Sequence, residues 1–305
     1  MSSTCRILVR LQKQHEKPVL AEFTQCVLSY FGLNDGIGKL HAQLRDNFLT
    51  LSDTKLVEND DVVVKHPNFC PVYNLTPEII TTIAPEVRNR GIDVGACMLL
   101  ESSDGKILLS RRGLHLRTFP GLWTPPGGHV EDRETLLEAG LRELNEEVGL
   151  SITPKDCIEE KIDLLALWES VYPPKLSVGP PKRHHIVVYF HAKLRKELTA
   201  IAMEERTKID PNEVLSCAWL NKDLVSAIAQ SYDEDHNEGM KIDHLPPTFR
   251  ALTLNANKEQ YVADLQTEPL FSIHKDSASQ SDTERVSTGT KFALQQLLSM
   301  STAQK

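Results

Sequence analysis

Glu143, Glu146 and Glu147 stand at i, i+3 and i+4 in the chain. A helix turns about 100° per residue, so these three positions share one face, and like charges at that spacing repel. They also crowd toward the C-terminal end of the helix, where the macrodipole disfavours anions. Carboxylates gathered against both effects can receive a hard divalent ion such as Mg2+ or Mn2+, which takes carboxylate oxygens and bridges them to phosphate. The plainer reading is a solvated acidic face, with Leu137, Leu141, Leu144 and Val148 forming an apolar stripe on the other side. The frame of the cluster favours the metal. Gly127 and Gly128 precede it, a single Arg142 stands inside it, and Gly149 follows. The first two glycines allow a tight turn and close backbone approach, and Gly149 is a good helix stop. Glu134 can pair with Arg142 and hold the loop onto the helix, which is a structural task.

The elements that must position these acids follow from local pattern. Before them, residues 92–100 and 106–111 read as two strands paired across Ser103-Asp104-Gly105, a hairpin signal. The Pro/Gly-rich run 119–126 leads stiffly into the glycines. After the helix, strands are expected at 163–172, 184–192 and 213–220, the last ending the sheet. A helix then begins at Asn221 as N-cap and buries Leu224, Val225 and Ile228. Residues 1–75 read as a small α+β region: a strand at 6–11, a helix over 19–30 stopped by Gly32, and short strands at 48–51 and 62–65. Packing onto the rest suits that region better than a loose module, since no clear linker follows it. Thr76-Pro77-Glu78 starts a helix running to about Val87. Residues 90–232 form the central domain and 233–305 a C-terminal extension. In that extension 233–238 is an acidic loop, 273–288 is Ser/Thr/Asp-rich and mobile, and 291–299 makes one last amphipathic turn.

Composition sets the outer bounds. Of 305 residues 40% are hydrophobic and 25% charged, as in an ordinary globular protein. A net charge of −8 argues against coating DNA or RNA through bulk electrostatics, though not against a small basic cleft. Six scattered cysteines without a C-x-x-C pair fit reduced thiols in cytoplasm or nucleus. No apolar run approaches a membrane span and no secretory signal is read. The histidines are not read as a zinc site: His184 and His185 are adjacent, so on a strand they point to opposite faces, and no Cys pair accompanies them. Lys182 and Arg183 beside them suit either a phosphate or the protein rim.

From Gly128 to Leu150 the chain fits G-x5-E-x7-R-E-U-x-E-E-x-G-U, where U is bulky and apolar. That run resembles the signature of the Nudix hydrolase superfamily. The resemblance implies an α/β/α sandwich with a mixed sheet, of α+β or α/β class. It also implies metal-dependent attack of water on phosphorus in a nucleoside diphosphate linked to another moiety. Glu143, Glu146 and Glu147 match the family's metal-binding carboxylates and Gly128 its backbone ligand. Glu143 and Glu147 are the catalytic candidates, with Glu143 also at the position most often given to the general base. Members often recruit one more acid; among Glu197, Glu204, Glu205 and Glu213, the last is preferred for its place six residues before Trp219. Arg111 and Arg112 end a strand on the side that the resemblance turns to phosphates, or are solvated loop charges. Trp123, Trp168 and Tyr172 suit base stacking, or the core. A closer resemblance, to a vertebrate member classed as an mRNA-decapping enzyme, rests on IDVG (92–95), LWTPPGGHVE (122–131), LWESVYPP (167–174), HHIVVY (184–189) and STGTK (287–291). It implies the 7-methylguanosine cap of RNA as substrate. Beside it stand hydrolysis of a small metabolite (a dinucleotide, nucleotide sugar or coenzyme A type), which the acidic balance favours slightly, and a non-catalytic binding module, against which the intact acids speak.

Overall fold

The computed structural model describes residues 6–56, 61–231, 244–271, 273–275, 282–284 and 286–303. In chain order the strands and α-helices are β1 (Leu8–Gln12), β2 (Val19–Leu20), α1 (Val27–Tyr30), β3 (Ile37–Arg45), β4 (Phe48–Ser52), β5 (Asp61–Lys65), α2 (Pro77–Thr82), α3 (Pro85–Arg88), β6 (Asp93–Glu101) and β7 (Ile107–Arg112). Then come β8 (Trp123–Thr124), β9 (Gly127–His129), α4 (Leu136–Val148), β10 (Cys157–Tyr172), β11 (Arg183–Leu194), α5 (Ala200–Glu204), β12 (Val214–Leu220) and α6 (Lys222–Gln230). Last are β13 (Thr248–Leu254), β14 (Gln260–Gln266), β15 (Ile273–Lys275), β16 (Asp282–Glu284) and α7 (Thr288–Ala303). Packing divides these into two compact units: Met1–Ala96 with Gly128–Ala139 and Leu164–Tyr189, and Cys97–Gly127 with Gly140–Asp163 and Phe190–Lys305.

The first unit holds a mixed sheet. β1 runs parallel to β4, from Leu8↔Phe48 to Gln12↔Ser52, while β3 lies antiparallel to both β4 and β5. β5 in turn runs parallel to β10 through Leu167↔Val64 and Trp168↔Lys65. The strands before residue 75 therefore share a sheet with Leu167 and Trp168. Period-2 alternation explains their core: Val9, Leu11, Leu49, Leu51 and Val64 are fully buried. The helix expected over 19–30 is only α1. Val19 and Leu20 pair instead with Leu11 and Arg10 on the edge of β1, and β-branched Val suits that edge. The helix expected from Thr76 to Val87 is two pieces, because Pro85 lacks a donor N–H and disfavours helix in the residue before it. β3 answers to no strand expected from the sequence.

The second unit extends an antiparallel sheet in the order β7, β12, β13, β14. The sheet thus continues two strands beyond 213–220, a correction to the expectation that it ends there. Leu224, Val225 and Ile228 of α6 are buried, and the Asn221 carboxamide oxygen accepts from Leu224 N at 2.9 Å, the expected N-cap. The last helix is far longer than one turn. Phe292, Ala293 and Leu294 of α7 are buried, and Gln295 Nε2 donates to the Ala229 carbonyl of α6 at 2.9 Å. Packing on α6 stabilises a segment whose own amphipathic pattern is weak. The acidic loop 233–238 lies outside the described residues, as does part of 273–288; within the latter, β15 and β16 pair antiparallel. Among the described residues no helix is long and apolar enough to cross a membrane.

Candidate active site

Helix α4 starts on a capping box. The Thr135 hydroxyl accepts from Glu138 N at 3.2 Å, and Glu138 Oε2 accepts from Thr135 N at 2.7 Å. Just before it, Glu134 Oε1 accepts from Glu131 N at 2.6 Å, so Glu134 ties up the approach loop. The helix ends at Gly149, whose φ of +71° suits glycine and whose N–H donates to the Asn145 carbonyl at 2.8 Å. A Cβ at Gly149 would meet Lys208 Cβ at 2.9 Å and Lys208 N at 3.1 Å. That absence of a side chain lets the segment 208–214 lie against the helix end. Lys208 N donates to Val148 O and Asp210 N to Glu147 O, both at 2.9 Å. Val214 N then donates to Asp210 O at 2.9 Å, and Gly113 N to Glu213 O at 2.7 Å. These bonds deliver Glu213 to the helix.

The result is a carboxylate cluster. Glu143, Glu147 and Glu213 each bring an oxygen within 4.8 Å of the others. Glu147 is buried at 4% exposure, with Ser110 Oγ of β7 at 3.3 Å from its Oε2. Burial pushes the Glu147 carboxyl up to about 8, Arg112 opposes that, and the charges of Glu143 and Glu213 add to it. Glu143 is raised as well, by burial first, against the pull of Arg142. The crowded acids offer an all-oxygen donor set that fits a hard divalent cation.

The other sequence candidates fall in distinct places. Glu146 is outside the cluster: its side chain is 56% exposed, and Arg142 Nη1 reaches both Glu146 Oε2 and Glu143 Oε1 at 2.8 Å. The helix face expected to carry all three acids is therefore split, with Glu147 turned inward beside Leu144 and Val148 and Glu146 outward. Among the alternatives to Glu213, Glu204 is held by Arg250 at 2.6 Å, while Glu197 and Glu205, exposed like Glu213 itself, do not join the grouping with Glu143 and Glu147. Gly128 sits in β9, and its carbonyl comes so near Gly95 that a Cβ there would stand 3.0 Å away. Arg111 Nε donates to the Gly121 carbonyl at 3.3 Å. Arg112 Nη2 donates to Thr118 O at 3.4 Å, and its buried Nε meets no hydrogen-bond partner among the described residues. Trp123 and Trp168 are corrected to core positions. They are 4% and 5% exposed, and Trp123 packs edge-on to Phe249 with centroids 5.7 Å apart, so a base has no open face to stack on. Tyr172 is half-buried. Sequence reasoning had no signal for Ser110 or for the Lys208–Asp210 tether, since both act through partners distant in the chain.

Glu213→Gln should lower turnover roughly 10- to 100-fold, as loss of a supporting contact to a metal commonly does, with little change in melting. A wild-type rate in steady-state kinetics would remove Glu213 from the site.

The fold and this acid cluster define a metal-dependent phosphate-ester or anhydride hydrolase of one class. Residues 91–239 match the NUDIX domain, and the chain belongs to the Nudix family, whose hydrolases depend on divalent metal ions. Along nearly its whole length it is similar to the m7GpppN-mRNA hydrolase NUDT17 of Danio rerio, at 39% identity over 296 residues, covering 97% of this chain and 96% of that protein. The protein of the same name from Xenopus laevis is 38% identical over 296 residues, with 96% and 95% covered. That of Homo sapiens is 36% identical over 281 residues, with 91% and 84% covered.

Proposed function

We propose that this chain hydrolyses the 5′ m7GpppN cap of mRNA, cutting a P–O–P bond of the triphosphate bridge with one water and releasing a methylated guanosine nucleotide. The observation that carries this reading is similarity to the cap hydrolases over 97% of the chain, well beyond the NUDIX domain itself. Glu143, Glu147 and Glu213 would hold a divalent ion, Mg2+ or Mn2+, which when bound would supply charge neutralisation at the phosphoryl oxygens and make the attacking water more acidic. Glu143 takes the proton from the attacking water. It is the cluster member that is less buried than Glu147 yet held in orientation by Arg142. Glu147 anchors the cation from the buried side, steadied by Ser110. Arg112, whose buried Nε meets no hydrogen-bond partner among the described residues, offers through its guanidinium a charge-assisted hydrogen bond to a phosphate oxygen. The work is placed in cytoplasm or nucleus, where capped RNA is found.

7-Methylguanine is cationic, and an aromatic face holds a desolvated cation better than a neutral ring by about 0.5–2 kcal/mol; of the three aromatic candidates, half-buried Tyr172 is the one that keeps surface to meet it. Methylated cap should accordingly be cut about 2- to 30-fold faster than unmethylated cap at subsaturating substrate, with a methylated guanosine nucleotide among the products on chromatography. Equal rates on the two caps, together with faster cleavage of a small dinucleotide or nucleotide sugar, would replace this reading with the metabolite one.

A further inference from the structure

Away from the carboxylate cluster, the first unit buries a second group of chemically active side chains. Glu169 of β10 is fully buried, with Cys26 at 6%, His66 at 2%, His184 at 1% and Cys70 at 0% exposure. Glu169 Oε1 accepts from Val27 N at 2.7 Å and lies 3.1 Å from His184 Nε2. The Cys26 thiol points at Glu169 Oε2 from 3.5 Å. One donor atom each from Cys26, His66 and Glu169 falls within 4.8 Å of the others.

His66 is the informative member. Its Nδ1 stands 2.8 Å from the Pro67 carbonyl. A carbonyl only accepts, so Nδ1 carries the proton and Nε2 keeps a bare lone pair. That Nε2 is buried and has no hydrogen-bond partner among the described residues. Leaving such an atom unsatisfied carries the full desolvation penalty of the group. The ring is also fixed in place: a Cβ at Gly36 would meet His66 Cε1 at 3.1 Å, so the glycine is packed against it. A histidine held by Nδ1–H to a backbone carbonyl, with Nε2 free, has the disposition of a metal ligand. His184 treats Glu169 similarly. Its Nδ1 lies 2.8 Å from the Phe23 carbonyl and its Nε2 3.1 Å from Glu169 Oε1, which keeps Oε2 turned to Cys26.

We propose that Cys26 Sγ, His66 Nε2 and Glu169 Oε2 form a buried structural site for a transition-metal cation, with Zn2+ the occupant. A soft thiolate and an imidazole select Zn2+ over the hard ions suited to the carboxylate cluster. Cys26 gives up its thiol proton on binding, and thiolate and carboxylate together cancel the two charges of the ion. Cys70 is fully buried as well, and burial with the charge of Glu169 pushes its thiol up. Another grouping, Asp93 with His129 and His185, is less suited to a cation. Arg6 lies 3.4 Å from Asp93, and it lines with Arg183 the same cavity of about 300 Å3. The ligands of the proposed site lie far apart in the chain, in no spacing that marks a zinc motif.

The test is made on full-length protein expressed with zinc in the medium and stripped of loosely held ions by brief dialysis against EDTA. Elemental analysis should find about one zinc per chain, as expected where metal binding is coupled to folding. Replacement by Co2+ should give thiolate-to-metal charge-transfer absorption in the near ultraviolet. The band should persist in Glu147→Gln, since the carboxylate cluster contains no sulfur, and vanish in Cys26→Ser and His66→Ala. A wild-type protein that is folded by circular dichroism, zinc-free, and without the thiolate–cobalt band would overturn the proposal and leave a buried hydrogen-bond network. That measurement needs no variant to fold, and it is independent of cap hydrolysis.

Discussion

Glu147→Gln should lower turnover by about 10²- to 10⁴-fold, the range for removing a group essential to proton transfer or charge stabilisation at a metal site, while the protein remains folded. Glu147 is the buried anchor of the cluster, with burial and the charges of Glu143 and Glu213 holding its carboxyl up to about 8. The amide keeps the shape and still presents an oxygen to Ser110, whose Oγ is 3.3 Å from Glu147 Oε2. It removes one of the charges that hold the cation. In metal-free protein the variant should melt close to wild type, because a carboxyl held up to about 8 is largely uncharged at neutral pH and the amide matches its shape. With Mg2+ or Mn2+ added, wild type should gain in melting temperature and the variant should gain less, since only binding to the folded form stabilises. Kinetics and calorimetry with and without divalent ion test both halves. Wild-type turnover in the variant, or full activity of wild type in excess chelator, would remove the metal from the reading.

Gly149→Val should cost roughly 2–5 kcal/mol of stability and most of the activity. A left-handed backbone charges an L side chain about 1–2 kcal/mol, and overpacking adds about 1–3 kcal/mol. The φ of +71° at Gly149 and the 2.9 Å approach of Lys208 to a would-be Cβ invoke both. Activity should fall even well below the melting temperature. Displacing Lys208 breaks the bonds from Lys208 N to Val148 O and from Asp210 N to Glu147 O, which bring Glu213 to the helix. Melting and turnover equal to wild type would show that the tether does not position the site.

Local chemistry alone determined a large part of this protein. The stop at Gly149, the hairpin turn at Gly105 and the Asn221 cap are each decided within a few residues, so their sequence signs held. The i, i+4 spacing of Glu143 and Glu147 likewise placed two of the acids before any fold was known. Tertiary structure decided what depends on partners far along the chain. It brought Glu213, rather than Glu204, beside Glu143 and Glu147 by tethering 208–214 to α4 and giving Glu204 to Arg250. It separated Glu147 from Glu146, because one flank of α4 is covered by β7 and the other faces solvent. It turned Val19 and Leu20 from helix to strand at the open edge of β1, added β13 and β14 beyond β12, and closed Trp123 and Trp168 into the core. It also brought Cys26, His66 and Glu169 within 4.8 Å. Helix caps and turns are settled by hydrogen bonds a few residues long, whereas burial, strand partners and the meeting of distant side chains depend on how the whole chain packs.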